Sequence, residues 1–185
     1  MAHNNNKRTT LLRITLLLLV LVASLIVYVF RDHYKSFLKY GYIGVLIINA
    51  ITHSTVLIPV PGIIFTYGSA ALLDPLWITI AASSGATIGE SSGYLAGQSG
   101  TGVINNTTLY KKIYNYLHYK PKLSSIILVL ASMVPNPFFD LVGIASGSLK
   151  IPFYKFLYSV FIGNTIKMAI FAYAGQTSIP ILLTP

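Results

Sequence analysis

The chain has no cysteine. Disulfides, thiolate metal sites and cysteine nucleophiles are therefore excluded. Acid is nearly as scarce: Asp32, Asp74, Glu90 and Asp140 are the whole supply in 185 residues. Charged residues make up 9% of the chain, against about a quarter in a soluble globular domain, which this composition excludes. The four histidines, His3, His33, His53 and His118, are far apart, and none has a second histidine at metal-ligand spacing. There is no nucleophile elbow, glycine-rich phosphate loop or zinc-protease motif, and Pro61-Gly62 is a turn signal rather than a nucleotide loop. No nucleophile–base pair can be named. The expectation is a chain without enzymatic activity, catalytic residues, cofactor or metal.

What is abundant is apolar: 54% of residues are hydrophobic, and 13 lysines and arginines give a net charge of +9. The basic residues cluster at the ends of apolar runs. There they suit anionic headgroups and topology signals rather than nucleic acid. Residues 1–10 read as a polar tail. Residues 11–30 are apolar enough for a first transmembrane helix, since about 20 such residues span a bilayer. A signal peptide competes for that segment, but the run is long and no small-x-small cleavage site follows. Residues 31–185 read as one membrane domain. The chain is thus expected to be an all-α, polytopic integral membrane protein, of the plasma membrane if its source is prokaryotic. Positive charge does not settle its orientation, beyond a lean to a cytoplasmic amino terminus.

Within that domain two breakers interrupt apolar runs, Pro59-Val60-Pro61-Gly62 and Pro135-Asn136-Pro137. Prolines two residues apart end a helix, and backbone freed in a membrane must be buried in protein or line a watery cavity. Each breaker is followed by an apolar arm too short to cross. Then come a proline (Pro75, Pro152), a spanning candidate (76–98, 151–174), and Ala96-Gly97-Gln98-Ser99 or Ala174-Gly175-Gln176-Thr177. Matching positions lie 76 to 78 residues apart. The pattern predicts an inverted repeat with two opposed re-entrant helical hairpins between spanning helices. Residues 100–122, rich in lysine and tyrosine, read as a polar connection at the membrane interface.

The first spanning candidate carries Gly85, Gly89, Gly93 and Gly97, a stripe without side chains that another helix can approach closely. Glu90 on that helix, Asp140 after the second break and Lys167 on the last helix are ionisable groups within apolar segments. Central Asp or Lys costs roughly 2.5 to 3.5 kcal/mol on insertion scales, so such groups face a bundle interior and have a partner. Glu90 shares its face with Ser83, Thr87, Tyr94 and Gly97, and Lys167 sits beside Gly163 and Asn164. Two readings stand side by side. In one, Asp140 caps a broken helix and Glu90 ties to Lys167 as a buried pair. In the other, the acids bind or relay a proton or cation, and Lys167 holds a lipid phosphate. His53, just before the first break, is a further candidate proton carrier.

The stretch Ser132 to Gly147, with its Pro-Asn-Pro-x-Phe-Asp-Leu-x-Gly-Ile core, resembles the DedA/VTT (SNARE-associated) superfamily. So do Pro152-Phe153, Phe156 and Ile162-Gly163 to Lys167. Over this second half the chain looks closest to the vacuole membrane protein 1-like members. Pro59-x-Pro61-Gly62 and Gly85 to Tyr94 add a similar first half, and the likeness covers about residues 40–177. It implies two facing re-entrant loops and movement of lipid between leaflets, as a phospholipid scramblase or lipid-phosphate flippase. Bacterial members carry an acid directly after the first Pro-Gly, where this chain has Ile63. They also have arginines flanking the second proline, where it has Ser132 and Phe138. Arginine is the bidentate phosphate ligand, so its absence argues against a polyprenyl-phosphate cargo. The expected transport set is Glu90, Asp140, Lys167, Asn136 and Asn164, with membrane lipids and protons as partners and homo-oligomerisation left open. The alternatives are a proton- or cation-coupled transporter of a small solute and a non-transporting scaffold that packs on a partner through the glycine stripe.

Overall fold

The computed structural model describes residues 40–54, 60–100, 108–119, 123–135 and 139–183. The expected tail (1–10), first transmembrane helix (11–30), Pro59, Asn136 and Pro137 lie outside them. Among the described residues all regular structure is helical, in seven helices. They are α1 (Gly41–Ser54), α2 (Val60–Ser69), α3 (Pro75–Gln98), α4 (Thr108–Tyr119), α5 (Ser124–Met133), α6 (Phe139–Ser148) and α7 (Phe153–Leu183).

Local chemistry explains the ends. Asp74 is the N-cap of α3, its carboxylate accepting from the amides of Leu76 at 2.9 Å and Trp77 at 3.3 Å, with Pro75 in the first turn. Pro61 likewise falls in the first turn of α2, where a missing amide costs nothing. At the end of α6 the amide of Lys150 donates to Gly147 and that of Ile151 to Ser146, the two bonds of a Schellman turn. Lys150 occupies the left-handed position, φ 53°, where glycine is usual and another residue costs roughly 1–2 kcal/mol.

The packing is reciprocal. The helix α1 lies on α3 and α5 lies on α7, each pair flanking one short helix in the sequence. The short helices cross over: α2 packs mainly on α7, α6 packs on α3, and the two long helices also touch each other. Glycines make these crossings close. A methyl group on Gly85 or Gly89 would overlap the carbonyl of Leu46 or Ala50 in α1, and one on Gly97 would overlap that of Ile144 in α6. Gly93 lies against the backbone of Asp140. The α3 stripe is therefore shared between two helices of the same chain, α1 on its first half and α6 on its second. In α7, Gly163 meets α5 at Val129 and Ser132, and Gly175 meets α2 at Tyr67. Between α3, α5, α6 and α7 lies an apolar core of Tyr94, Leu128, Phe139, Val142, Phe156 and Val160.

Among the described residues one segment, Phe153–Ser178 with 26 residues, is long and apolar enough to cross a membrane by length and composition. The expected span over 76–98 is matched by α3 in length, at 24 residues, but its glycines and serines keep it below that apolarity. Its hydroxyls are nonetheless satisfied internally. Thr79, Ser83, Thr87 and Ser91 each donate to the carbonyl four residues back, at 2.6 to 2.8 Å. The connection expected over 100–122 is corrected in its middle. Residues 108–119 form α4, whose Tyr110 and Leu117 pack with Ile144 and Ala145 of α6 while Lys111, Lys112 and Tyr119 stay exposed.

Gly97→Val should force α6 off α3 and destabilise the protein by roughly 1–3 kcal/mol. Ile88→Val, on the exposed side of the same helix, should change stability by no more than about 0.5 kcal/mol. Thermal unfolding of the two purified variants, compared with the parent, measures the difference.

Candidate functional site

The middle of the α3–α7 contact is polar although the surrounding helices are apolar. Glu90 on α3 and Asn164 and Lys167 on α7 are 5%, 0% and 4% exposed. The Lys167 ammonium stands 3.5 Å from Glu90 Oε1, and the Asn164 side-chain amide donates to Glu90 Oε2 at 2.7 Å. Both carboxylate oxygens are thus engaged from one helix. Residues 164 and 167 are one turn apart and share a face, so α7 presents both to the same acid. The Asn164 amide also reaches Thr87 Oγ1 at 3.3 Å, one turn before Glu90.

Two further titratable groups approach this cluster. His53, near the end of α1 and 8% exposed, has its Nδ1 2.9 Å from the Asn49 carbonyl and lies within electrostatic reach of Lys167. Asp140, half-buried in the first turn of α6, acts in the same way on Glu90. Its backbone rests on Gly93, one turn beyond Glu90. Among the described residues Asp140 is not hydrogen-bonded into the cluster. Of the five expected transport residues, the fold gathers Glu90, Asn164 and Lys167 directly. It brings Asp140 alongside, and Asn136 lies outside the described residues. Of the expected breaks, Gly62 is buried at the start of α2, Pro135 is exposed between α5 and α6, and Pro59 and Pro137 are outside the described residues.

A second polar group escaped the sequence reading as a site. Asn49 of α1, fully buried, donates to the Val45 carbonyl at 2.9 Å and to Thr66 Oγ1 of α2 at 3.1 Å, and the Thr66 hydroxyl donates to Gly62 at 2.9 Å. Gly62 packs against Asn49 and His53, so the start of α2 lies on this group. The available signal was Asn49 and His53 spaced four residues apart in an otherwise apolar run. Among the described residues the side-chain oxygens of Asn49 and Asn164 are buried without a hydrogen-bond partner, one in each half of the chain. Buried polar atoms without partners are rare in folded proteins. Tyr94, one turn past Glu90, closes the cluster on the α6 side. Its hydroxyl donates to the Ile151 carbonyl at 2.5 Å and its ring lies 4.9 Å from that of Phe156.

The profile of the VTT domain matches residues 58–177, more than half of the chain. The chain belongs to the VTT-domain family. This is the DedA/SNARE-associated family of membrane proteins, whose members are generally proposed to be transporters or flippases, and it is not known as an enzyme family. No curated protein and no solved structure matches the chain. The matched residues include α2, α3, α5, α6 and most of α7, hence every residue of the Glu90–Asn164–Lys167 cluster.

Removing one partner of a buried ion pair leaves the other charge uncompensated. Lys167→Met should therefore destabilise the protein by roughly 3–5 kcal/mol, whereas Glu90→Gln with Lys167→Met should recover most of that loss. Denaturant unfolding of the two variants in detergent provides the comparison.

Proposed function

We propose that this VTT-domain protein is a multi-pass lipid transporter that lets phospholipid headgroups cross between leaflets past the Glu90–Asn164–Lys167 cluster. The observation that carries the reading is this charged, hydrogen-bonded group, buried where α3 and α7 meet. The start of α6 lies one turn from Glu90, and the start of α2 lies on the separate Asn49 group. A ten-residue helix such as α2 or α6 rises about 15 Å, half of a hydrocarbon core of about 30 Å. Two such half-length helices, each packed on the long helix of the other half, support two opposed re-entrant hairpins. Their first turns lie at Gly62 against Asn49 and at Asp140 against Gly93, one turn from Glu90. Interrupted helices of this kind point their ends at cargo near the membrane midplane in other transporters.

The chemistry suits a zwitterionic headgroup. Lys167 offers a cation to the phosphate, and Glu90 and Asp140 offer anions to an amine. The partnerless oxygens of Asn49 and Asn164 accept hydrogen bonds that the chain itself does not supply. Acyl tails stay in lipid throughout, so the protein need bury only the headgroup. The glycine stripe is occupied by α1 and α6, which removes the surface a purely scaffolding role would use. The resemblance to vacuole membrane protein-like members points the same way, since Asp140 and Glu90 match their pattern.

The test is fluorescent-lipid exchange in proteoliposomes, with and without a pH gradient. The Glu90→Gln, Lys167→Met pair should fold and yet lose at least tenfold in exchange rate. Asp140→Asn should slow exchange with little effect on unfolding. Exchange that persists in the double variant would reduce the cluster to a structural tie. Exchange that appears only with a pH gradient would favour proton-coupled transport over passive scrambling.

A further inference from the structure

A second charged feature lies outside the buried cluster. Where the end of α4, the start of α5 and the turn from α6 to α7 come together, they enclose a cavity. Its walls include Leu117, Leu149 and Ile151, its cations are Lys150 and Lys155, and His118 adds an imidazole. No acid lines it. Apolar walls under a basic rim are the complement of an anionic amphiphile, with the phosphate held by the cations and the first carbons of the lipid against the leucines.

Three observations concern the polar side chains at this cavity. Lys155 belongs to the first turn of α7, where its own amide already donates to the Pro152 carbonyl, so what it brings to the cavity is its side chain. His118 ends α4, the amphipathic helix whose Leu117 is buried against α6. Lys150 holds the left-handed position of the Schellman turn, where glycine would be the less strained residue. The chain accepts a conformational cost and places an ammonium at the cavity edge. Ile151, which lines the cavity, also accepts at its carbonyl the hydrogen bond from Tyr94 of α3, so the turn is tied to the long helix.

We infer that the cavity formed by α4, α5 and the α6–α7 turn is a docking site for a phosphate-bearing, net-anionic lipid headgroup, held by His118, Lys150 and Lys155. The inference deepens the lipid-transport reading and rests on it for the membrane context. It assigns a recognition step at the edge of the bundle, separate from passage through its centre.

The glycine variant makes the test clean. Lys150→Gly removes the ammonium and relieves the turn, so it should unfold at the same or a higher temperature than the parent. The full-length protein, held in phosphatidylcholine nanodiscs, is titrated with dihexanoyl phosphatidic acid, and separately with glycerol 3-phosphate and inorganic phosphate. Binding of the short-chain lipid should weaken about fivefold in Lys150→Gly and about 25-fold with Lys155→Gln added, and should weaken further with salt. The two soluble phosphates should bind at least tenfold more weakly than the lipid. Unchanged lipid binding in the double variant would overturn the site. Equal affinity for glycerol 3-phosphate would overturn the lipid assignment. Leaflet exchange of phosphatidylcholine separates the two ideas. If exchange is absent while the lysine-dependent binding stands, the transport reading fails and the docking site survives.

Discussion

Close backbone contact along α3 is the constraint on which the rest of this fold depends. Gly85 and Gly89 let α1 rest directly on the helix, and Gly93 and Gly97 do the same for α6. In an apolar surrounding there is little hydrophobic gain from bringing two helices together, so shape and van der Waals contact decide which surfaces meet. A stripe with no side chains gives the shortest approach. It fixes both rotation and depth, and therefore decides which residues sit beside it. Glu90 follows Gly89 in sequence. Once α1 and α6 occupy the stripe, Glu90 is left buried and faces α7.

The same reasoning applies across the two halves. Gly163 and Gly175 in α7 receive α5 and α2, as Gly85 and Gly97 in α3 receive α1 and α6. The short helices α2 and α6 each pack mainly on the long helix of the other half. This exchange makes the central contact between α3 and α7 a contact between halves. A polar cluster placed there is assembled only when both halves are in position. Asn49 with Thr66 and His53 forms a separate polar group on the α1–α2 side, joined to the centre through the field of Lys167.

Much of this is written in local patterns and some of it is not. The glycine period of four, the N-cap Asp74-Pro75 and the i, i+3 pair Asn164 and Lys167 can all be read directly, because each depends on neighbours within one or two turns. The pairing of Glu90 with Lys167 could be anticipated as one of two readings, since an acid and a base in apolar segments need partners. The helix α4 escaped notice because lysines and tyrosines hid its apolar spacing at Tyr110, Ile113 and Leu117, which is nevertheless helical. The Asn49–Thr66 bond could not be foreseen. A single asparagine in an apolar run says that a partner exists and nothing about which helix supplies it. The crossing of α2 to α7 is likewise a long-range choice, made by Gly175 and Tyr67 more than a hundred residues apart in sequence.

The buried pair itself argues for a role beyond holding the helices together. Two charges taken out of water are costly, and well-packed apolar residues of similar volume are often as stable or more so. The glycine contacts already hold α3 on α1 and α6, and the apolar core around Tyr94, Phe156 and Val160 already joins α3 to α7. Stability alone would therefore be served by leucine and methionine at positions 90 and 167. Instead the chain places an acid, a base and an amide there, flanked by a second acid at the start of α6. On the proposed transport reading, what these groups add is the ability to exchange their internal bonds for equivalent bonds to a polar headgroup. Lys167 would then leave one oxygen of Glu90 for a phosphate while Asn164 still holds the other. On that reading Asn164 keeps a hydrogen bond on Glu90 while Lys167 is engaged elsewhere, so the carboxylate is never left without a donor.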